Sequence, residues 1–468
     1  GDDLSSADQE YNISGYINEI RELVDQWRNL PNERDWQVTV ETAQLIRYWR
    51  SHKFETIRPF FCQVEAVETA IWLSEVAPKL GKRAGSILKR LKIANEQANP
   101  EIFRIAFKLA TGAGKTTVMA MLIAWQAINA IRHPQTKSFS RAFLIVTPGI
   151  TIKDRLRVLQ PNDPDSYYKT REIIPADMIG DIEKVKIVIT NYHAFKLREI
   201  LDISKTGRTL LKGRGEEIQT KETEGQMIKR VMSELMSMKN IVVINDEAHH
   251  CYREKLSSYE SDLKGEDKKE ADKNKEAARL WITGIESVKR KLGVQVVYDL
   301  SATPFFLQGS GYAEGTLFPW VSSDFSLIDA IECGIIKLPR VPVADNVVRD
   351  EMPLYRQLWS HIGNKMPKKG RGEDSADPLS LPPMLQTALE ALYGHYKKVY
   401  ESWHKEGISV PPVFIVVCNN TATSKLVYDF ISGFERANEK GEVAFHEGRL
   451  ELFQNYDKNG QRLSKPRT

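Results

Sequence analysis

The sequence predicts an α/β protein built on a parallel sheet buried on both faces, and three observations carry that prediction. Short apolar runs rich in valine and isoleucine recur from residue 102 onward, separated by helical or polar stretches. A glycine-rich turn joins the first of these runs to a helical segment. The opening hundred residues follow a helical rhythm instead, which sets a helical region before the sheet in sequence. Taken in order, Ile13, Ile17, Ile20, Val24 and Trp27 recur at three- and four-residue spacing, as do Ala66, Ala70, Leu73 and Ala77. Pro100 precedes the first apolar run, Ile102 to Leu109, and the helical stretch Val118–Ile131 follows. Four more runs are Ala142–Val146, Val185–Ile189, Ile241–Ile244 and Val294–Tyr298. Each is too short and too β-branched to be a buried helix. Lys264–Glu276 is charged at most positions without apolar periodicity, and reads as an exposed loop or a solvated helix end. Lys365–Pro383, rich in Gly, Pro, Lys and Asp, reads as a linker. A helix from Leu385 to Trp403 and a last buried run, Val413–Val417, then begin a second α/β unit, which starts near residue 340.

Composition narrows the function classes. In 468 residues, 66 Lys and Arg face 62 Asp and Glu for a net +4, with 27% charged and 41% hydrophobic residues. Those proportions describe a globular protein with ample core material, and the length suits roughly three units of 100–200 residues. No stretch approaches the ~18 apolar residues of a membrane span, and no apolar leader opens the chain. The cysteines Cys62, Cys251, Cys333 and Cys418 lie far apart, which argues against a zinc ribbon or a disulfide scaffold and suits a reducing cytosol. The start at Gly1-Asp2-Asp3 without methionine and the unmarked end at Thr468 lead us to expect an N-terminal fragment of a longer protein.

The strongest chemical signal is Ala110-Thr111-Gly112-Ala113-Gly114-Lys115-Thr116-Thr117, between an expected strand and an expected helix. That context makes it a phosphate-binding loop. Gly112 and Gly114 let the backbone wrap closely so that successive N–H groups point at phosphate oxygens. The following helix adds the partial positive charge of its N-terminus. Lys115 would reach the β- and γ-phosphates, and the Thr116 hydroxyl would ligate Mg²⁺. Leu109 stands where the general pattern has its first glycine, so the match is to a subset of such loops. Asp246-Glu247-Ala248-His249 follows the run Ile241–Ile244. Asp246 is placed to hold Mg²⁺ through water, and Glu247 to orient and deprotonate the attacking water. His249, His250 and Cys251 are consecutive and cannot all converge on one metal ion.

These residues, in chain order, resemble the superfamily-2 helicases and translocases: the phosphate loop, then Thr147-Pro148, Thr190-Asn191-Tyr192, Asp246-Glu247-Ala248-His249 and Ser301-Ala302-Thr303. Upstream, Arg58-Pro59-Phe60-Phe61-Cys62-Gln63 resembles the family's adenine-reading segment, which makes Gln63 the expected reader of the base. Within the superfamily the wording is most similar to the helicase–nuclease subunit of type III restriction enzymes, and extends to Thr190-Asn191-Tyr192-His193-Ala194-Phe195 and Ser301-Ala302-Thr303-Pro304-Phe305.

The resemblance implies a RecA-like motor domain over 58–338, after a helical region over 1–57 and before an incomplete second RecA-like domain over 339–468. It implies ATP and Mg²⁺ as cofactors, and double-stranded DNA as the track. Thr147, Pro148, Thr190 and Asn191 would meet its phosphates, and His249, Ser301 and Thr303 would couple the two sites. A modification methyltransferase subunit is the implied partner, and a prokaryotic cytoplasm the implied location. An arginine-finger motif and a nuclease motif belong to the family, but no arginine motif follows Val413–Ser424, and Arg340 and Arg349 precede the second unit's first run. The chain alone is therefore expected to be inactive or weakly active. Two other readings stay open from the residues: an RNA helicase of the Asp-Glu-Ala-His type, and a nucleotide-dependent clamp on nucleic acid that does not move.

Overall fold

The computed structural model describes residues 6–199, 221–255, 265–338, 358–366, 377–437, 443–457 and 461–463. The chain divides into two compact units, Gly1–Pro339 and Arg340–Thr468. The centre of the first is a six-stranded sheet made of β1 (Arg104–Leu109), β2 (Ala142–Thr147), β3 (Lys186–Asn191), β4 (Ile241–Asp246), β5 (Val294–Ser301) and β6 (Val321–Phe325). Every pairing is parallel and the order is β3-β2-β4-β5-β1-β6. With helices flanking it, this is the RecA-like α/β arrangement. Five of the strands arise from the valine- and isoleucine-rich runs. The sixth, Val-Ser-Ser-Asp-Phe, carries no such signal, yet four of its five residues are buried.

Four helices precede the sheet in sequence: α1 (Ser6–Arg28), α2 (Val40–Ser51), α3 (Phe61–Ile71) and α4 (Lys82–Ala98). The reason they belong to this unit lies in α5 (Lys115–Arg132), whose residues from Thr117 to Asn129 are all buried. A helix that is apolar all round needs cover on every side. The sheet supplies one side, where Gln126 Nε2 donates to the Tyr298 hydroxyl of β5, and α2 and α3 supply another. Polar bonds fix that side: Trp125 Nε1 donates to Glu75, in the helical turn that follows α3, at 2.7 Å, and Asn129 Nδ2 donates to Thr42 Oγ1 of α2 at 3.0 Å. The helix α1 lies along β6, where Arg21 donates to the Asp324 carbonyl, so the edge strand is not left bare. The charged stretch before residue 276 is the solvated first part of a long helix, Gly265–Leu292.

In the second unit, helices Pro383–Lys405 and Thr421–Ser432 pack through Leu385, Leu389, Leu426 and Phe430. An antiparallel hairpin, β7 (Gly433–Ala437) with β8 (Val443–Glu447), follows. The run Val413–Val417 corrects the expectation of a buried strand: Val413 is 80% exposed and Val417 91%. Among the described residues it pairs with no strand, and an apolar run becomes a buried strand only where neighbouring strands take up its backbone groups. The expected linker Lys365–Pro383 lies partly, and Arg340 and Arg349 lie wholly, outside the described residues. No helix among the described residues is long and apolar enough to cross a membrane.

Candidate functional site

Sheet register brings the separate motifs to one edge. Lys108 of β1 is level with Ser301 of β5, and Leu300 of β5 is level with Asp246 of β4. The glycine-rich loop therefore leaves β1 beside the end of β5, and Asp246-Glu247 leaves β4 on its other side. This is the carboxyl edge, where ligands of open parallel sheets bind.

Within the loop, Gly112 and Gly114 take φ of +88° and +84°, a region that side chains rarely adopt. At Gly114 a Cβ would also stand 2.2 Å from Gln63 Nε2, so the position excludes a side chain twice over. Lys115 opens α5, and its Nζ lies 2.9 Å from Glu247 Oε1. Glu247 itself has φ +50°, a left-handed backbone on a residue with a side chain, of the kind that collects at functional sites. Thr111 and Gly112 are exposed, Thr116 is half-buried at the first turn of α5, and Ala113 and Thr117 are buried.

Asp246 is only 7% exposed. Burial and the neighbouring Glu247 push its carboxyl up to about 6, against the pull of Lys115. A buried carboxylate pushed up by its surroundings, on the sheet edge that also carries the loop and the Thr116 hydroxyl in the first turn of α5, suits a hard divalent cation with oxygen ligands. Asp246 and Thr116 are the residues that could hold Mg²⁺, with water completing its shell. The raised value has a stability consequence with a definite sign. Below the unfolded carboxyl range near 4, both states are protonated and the site costs nothing. As pH rises through about 6, the folded state must ionise a buried group, and stability is lost. Asp246→Asn should therefore melt with the parent at pH 4 and above it at pH 7, in thermal melts without divalent cations. A variant that melts lower than the parent at pH 7 would contradict the assigned strain.

His249 Nδ1 lies 2.9 Å from Ser301 Oγ, and the same Oγ accepts the Thr303 N–H at 3.0 Å. Burial and the adjacent His250 push His249 down to about 4, so the ring is neutral near pH 7. A neutral ring accepting at Nδ1 from the Ser301 hydroxyl satisfies both groups. Ser301 and Thr303 thus reach the Asp246–His249 loop, Thr303 through its backbone alone.

Gln63 is 2% exposed, with both amide ends in use. Its Oε1 accepts from Phe60 N at 3.0 Å, and its Nε2 donates to Ala113 O at 2.8 Å. It ties the Phe60 segment to the phosphate loop, rather than presenting a free edge. Thr147 and Thr190, expected to meet nucleic-acid phosphates, stand at the carboxyl ends of β2 and β3. Both are buried, and Thr147 Oγ1 donates to Gly149 O at 2.9 Å. Their neighbours Pro148 and Asn191 are half-buried at the same edge and keep some accessible surface.

A buried polar network runs across β1, β5 and β4. Arg104, wholly buried, donates from Nε to Asp299 Oδ2 at 2.7 Å and from Nη2 to Cys251 O at 2.8 Å. Asp299 also accepts from Asn245 Nδ2 and Trp320 Nε1, each at 2.8 Å. The signal in the sequence is a polar residue inside each apolar strand, Arg104 in β1, Asn245 in β4 and Asp299 in β5. Buried charges need partners.

A family model described as "Type III restriction enzyme, res subunit" matches residues 57–306, which takes in the loop, the Asp246–His249 segment and Ser301–Thr303. No curated protein and no solved structure matches the chain.

Proposed function

The chain belongs to the type III restriction enzyme res-subunit family, and from that premise we propose that Gly1–Pro339 is the ATP-binding half of a motor that moves on double-stranded DNA. The observation that carries this reading is the Lys115–Glu247 pair at 2.9 Å, with the buried Asp246 carboxyl beside it. A loop lysine meeting a strand-end glutamate puts a phosphate-binding cation and a water-activating base on one spot, which is what phosphoryl transfer to water requires. Lys115 leaves Glu247 for the phosphates when nucleotide arrives. Asp246 and Thr116 would hold Mg²⁺, which would supply neutralising charge to the phosphates. Glu247 is then free to accept the proton of the attacking water.

Lys115→Ala tests the assignment. Charge-assisted bonds to phosphate are the strong ones, and the loop backbone does not need the lysine to keep its shape. Mg-ATP binding should be lost in a calorimetric titration, while the melting temperature stays near that of the parent. Unchanged affinity would sink the phosphate assignment.

DNA is the proposed track and a modification methyltransferase subunit the proposed partner, in a prokaryotic cytoplasm, with endonuclease action as the output of the assembled enzyme. Thr147, Pro148, Thr190 and Asn191, at the carboxyl edge, are the proposed contacts to the backbone, with Pro148 and Asn191 the more exposed of the four, so binding should be indifferent to sequence and weaken as salt rises. We further propose that the 468-residue chain alone turns ATP over slowly. A finger arginine is worth about 10³–10⁵ in rate, and here it would come from a partner or a second copy. Turnover per molecule that is fast, DNA-stimulated and independent of protein concentration would refute this.

A further inference from the structure

A cavity of about 310 Å³ opens beside the phosphate loop, and its walls have different chemistry. Gly112, Gly114 and Thr116 form the end that offers backbone N–H groups and a hydroxyl to phosphates. Ile57, Pro59 and Phe60 form a mostly apolar wall that also carries Arg58 and Gln63. Facing the space from a different part of the chain, between β2 and β3, are Tyr167 and Arg171. The Arg171 guanidinium carbon lies 4.1 Å from the centre of the Tyr167 ring. Its Nη1 lies 3.3 Å from Thr117 Oγ1, in the first turn of α5. One face of the guanidinium is thus backed by an aromatic ring, and one corner is pinned to the helix that follows the phosphate loop.

The next residue locks this arrangement to the opposite wall. Glu172 has φ +49° with a full side chain, and its Oε1 accepts the backbone N–H groups of Glu55 at 3.1 Å and Thr56 at 3.3 Å. Its Oε2 lies 3.0 Å from His52 Nε2. Arg171 and the left-handed Glu172 that follows it therefore bolt the segment leading to Ile57–Phe60 to the helix of the phosphate loop. Strain of this kind persists where the surroundings over-determine it, and it collects at ligand clamps.

We propose that Tyr167 and Arg171 form the second wall of the nucleotide site, stacking on the base so that it is held between Arg171 and the Ile57–Phe60 wall. A ring-backed guanidinium presents a flat cationic face, which suits the π-face of any base, while the Nη1 corner is already engaged with Thr117 Oγ1 rather than offered to a phosphate oxygen. Gln63, with both amide ends engaged, holds the apolar wall to the loop. Arg171 and Tyr167 thus set the preference for a base-bearing triphosphate over bare triphosphate. Glu172 is a positioning residue that acts through the clamp. This inference rests on the nucleotide reading above.

The test compares Mg-ATP with Mg-tripolyphosphate in calorimetric titrations of the 468-residue chain. Arg171→Ala should weaken Mg-ATP about 5–30-fold, the range of a desolvated cation–π contact, and leave tripolyphosphate within about twofold. Tyr167→Leu, which keeps the charge but removes the backing ring, should shift the same ratio in the same direction. Arg171→Lys should not restore it, because an ammonium has no flat face. Retained tripolyphosphate binding also certifies that each variant is folded with an intact loop. Equal weakening of both ligands would make Arg171 a phosphate ligand and overturn the proposal, as would ATP affinity unchanged in both variants. A parent chain that binds neither ligand would instead defeat the nucleotide reading on which the wall depends.

Discussion

Glu247→Gln should keep Mg-ATP bound while hydrolysis in the assembled enzyme falls by roughly 10²–10⁴. The amide has the size of the carboxylate and fits the same left-handed backbone position, so the strand end keeps its shape. It cannot take a proton from water, so the loss falls on the chemical step. The structure adds an expectation about binding. In the chain without nucleotide, Glu247 holds Lys115 at 2.9 Å, and that contact must break before the lysine can reach phosphate. Glutamine holds the lysine less firmly because it carries no charge, so nucleotide affinity should rise or stay level rather than fall. Single-turnover hydrolysis and equilibrium binding, measured side by side, separate these effects. Parental hydrolysis rates in the variant would move water activation to another residue.

Asp299→Ala should lower the stability of the first unit by about 3–5 kcal/mol, the cost of leaving one partner of a buried pair alone. Arg104 and Asp299 are both fully shielded from solvent at their side chains. Removing the carboxylate leaves the guanidinium with only neutral oxygens, from Asn99 and Cys251, and strips an acceptor from Asn245 and Trp320. At about 2 °C per kcal/mol for a domain of this size, the melting temperature should drop by roughly 6–10 °C. Arg104→Met combined with Asp299→Asn should recover part of the loss, since it removes the charge while keeping an acceptor for Trp320. Asn245 directly precedes Asp246, so Asp299→Ala should also loosen Mg²⁺ dependence at temperatures where the unit is still folded. A variant melting within a degree of the parent would show that solvent or a rearranged neighbour compensates the arginine.

The parts of the fold that the sequence made legible are those governed by local rules. Isoleucine and valine in short runs announce β1 to β5, and Gly112-Ala113-Gly114-Lys115 needs only its flanking strand and helix to be recognised. What escaped depends on contacts made far along the chain. The serines and aspartate of β6 disguise a strand whose burial is provided by α1. Arg104 lies in the apolar run Ile102–Leu109, where its charge looks like an exposed end, because its partner is 195 residues away. The opening helices read as a separate region because nothing local reveals that α5 needs cover on a second side. Val413–Val417 failed in the opposite sense, since its composition satisfies the strand rule and its surroundings do not. At the site, residue types and order were readable, whereas Thr147 and Gln63 could be judged only once their bonding partners were visible.

The order β3-β2-β4-β5-β1-β6 also has a history in time. The strand that carries the phosphate loop is the first to be synthesised, and both of its neighbours are the last. Between Arg104 and Asp299 the ribosome adds 195 residues, which at 5–20 residues per second takes roughly 10–40 s. For that interval β1 has no partner on either side, and an unpaired apolar strand is what aggregation and chaperones both capture. The nascent chain should therefore depend on chaperone capacity until Phe325 has emerged, and slower translation through residues 110–290 should lower the soluble yield of the first unit without changing the stability of the molecules that do fold.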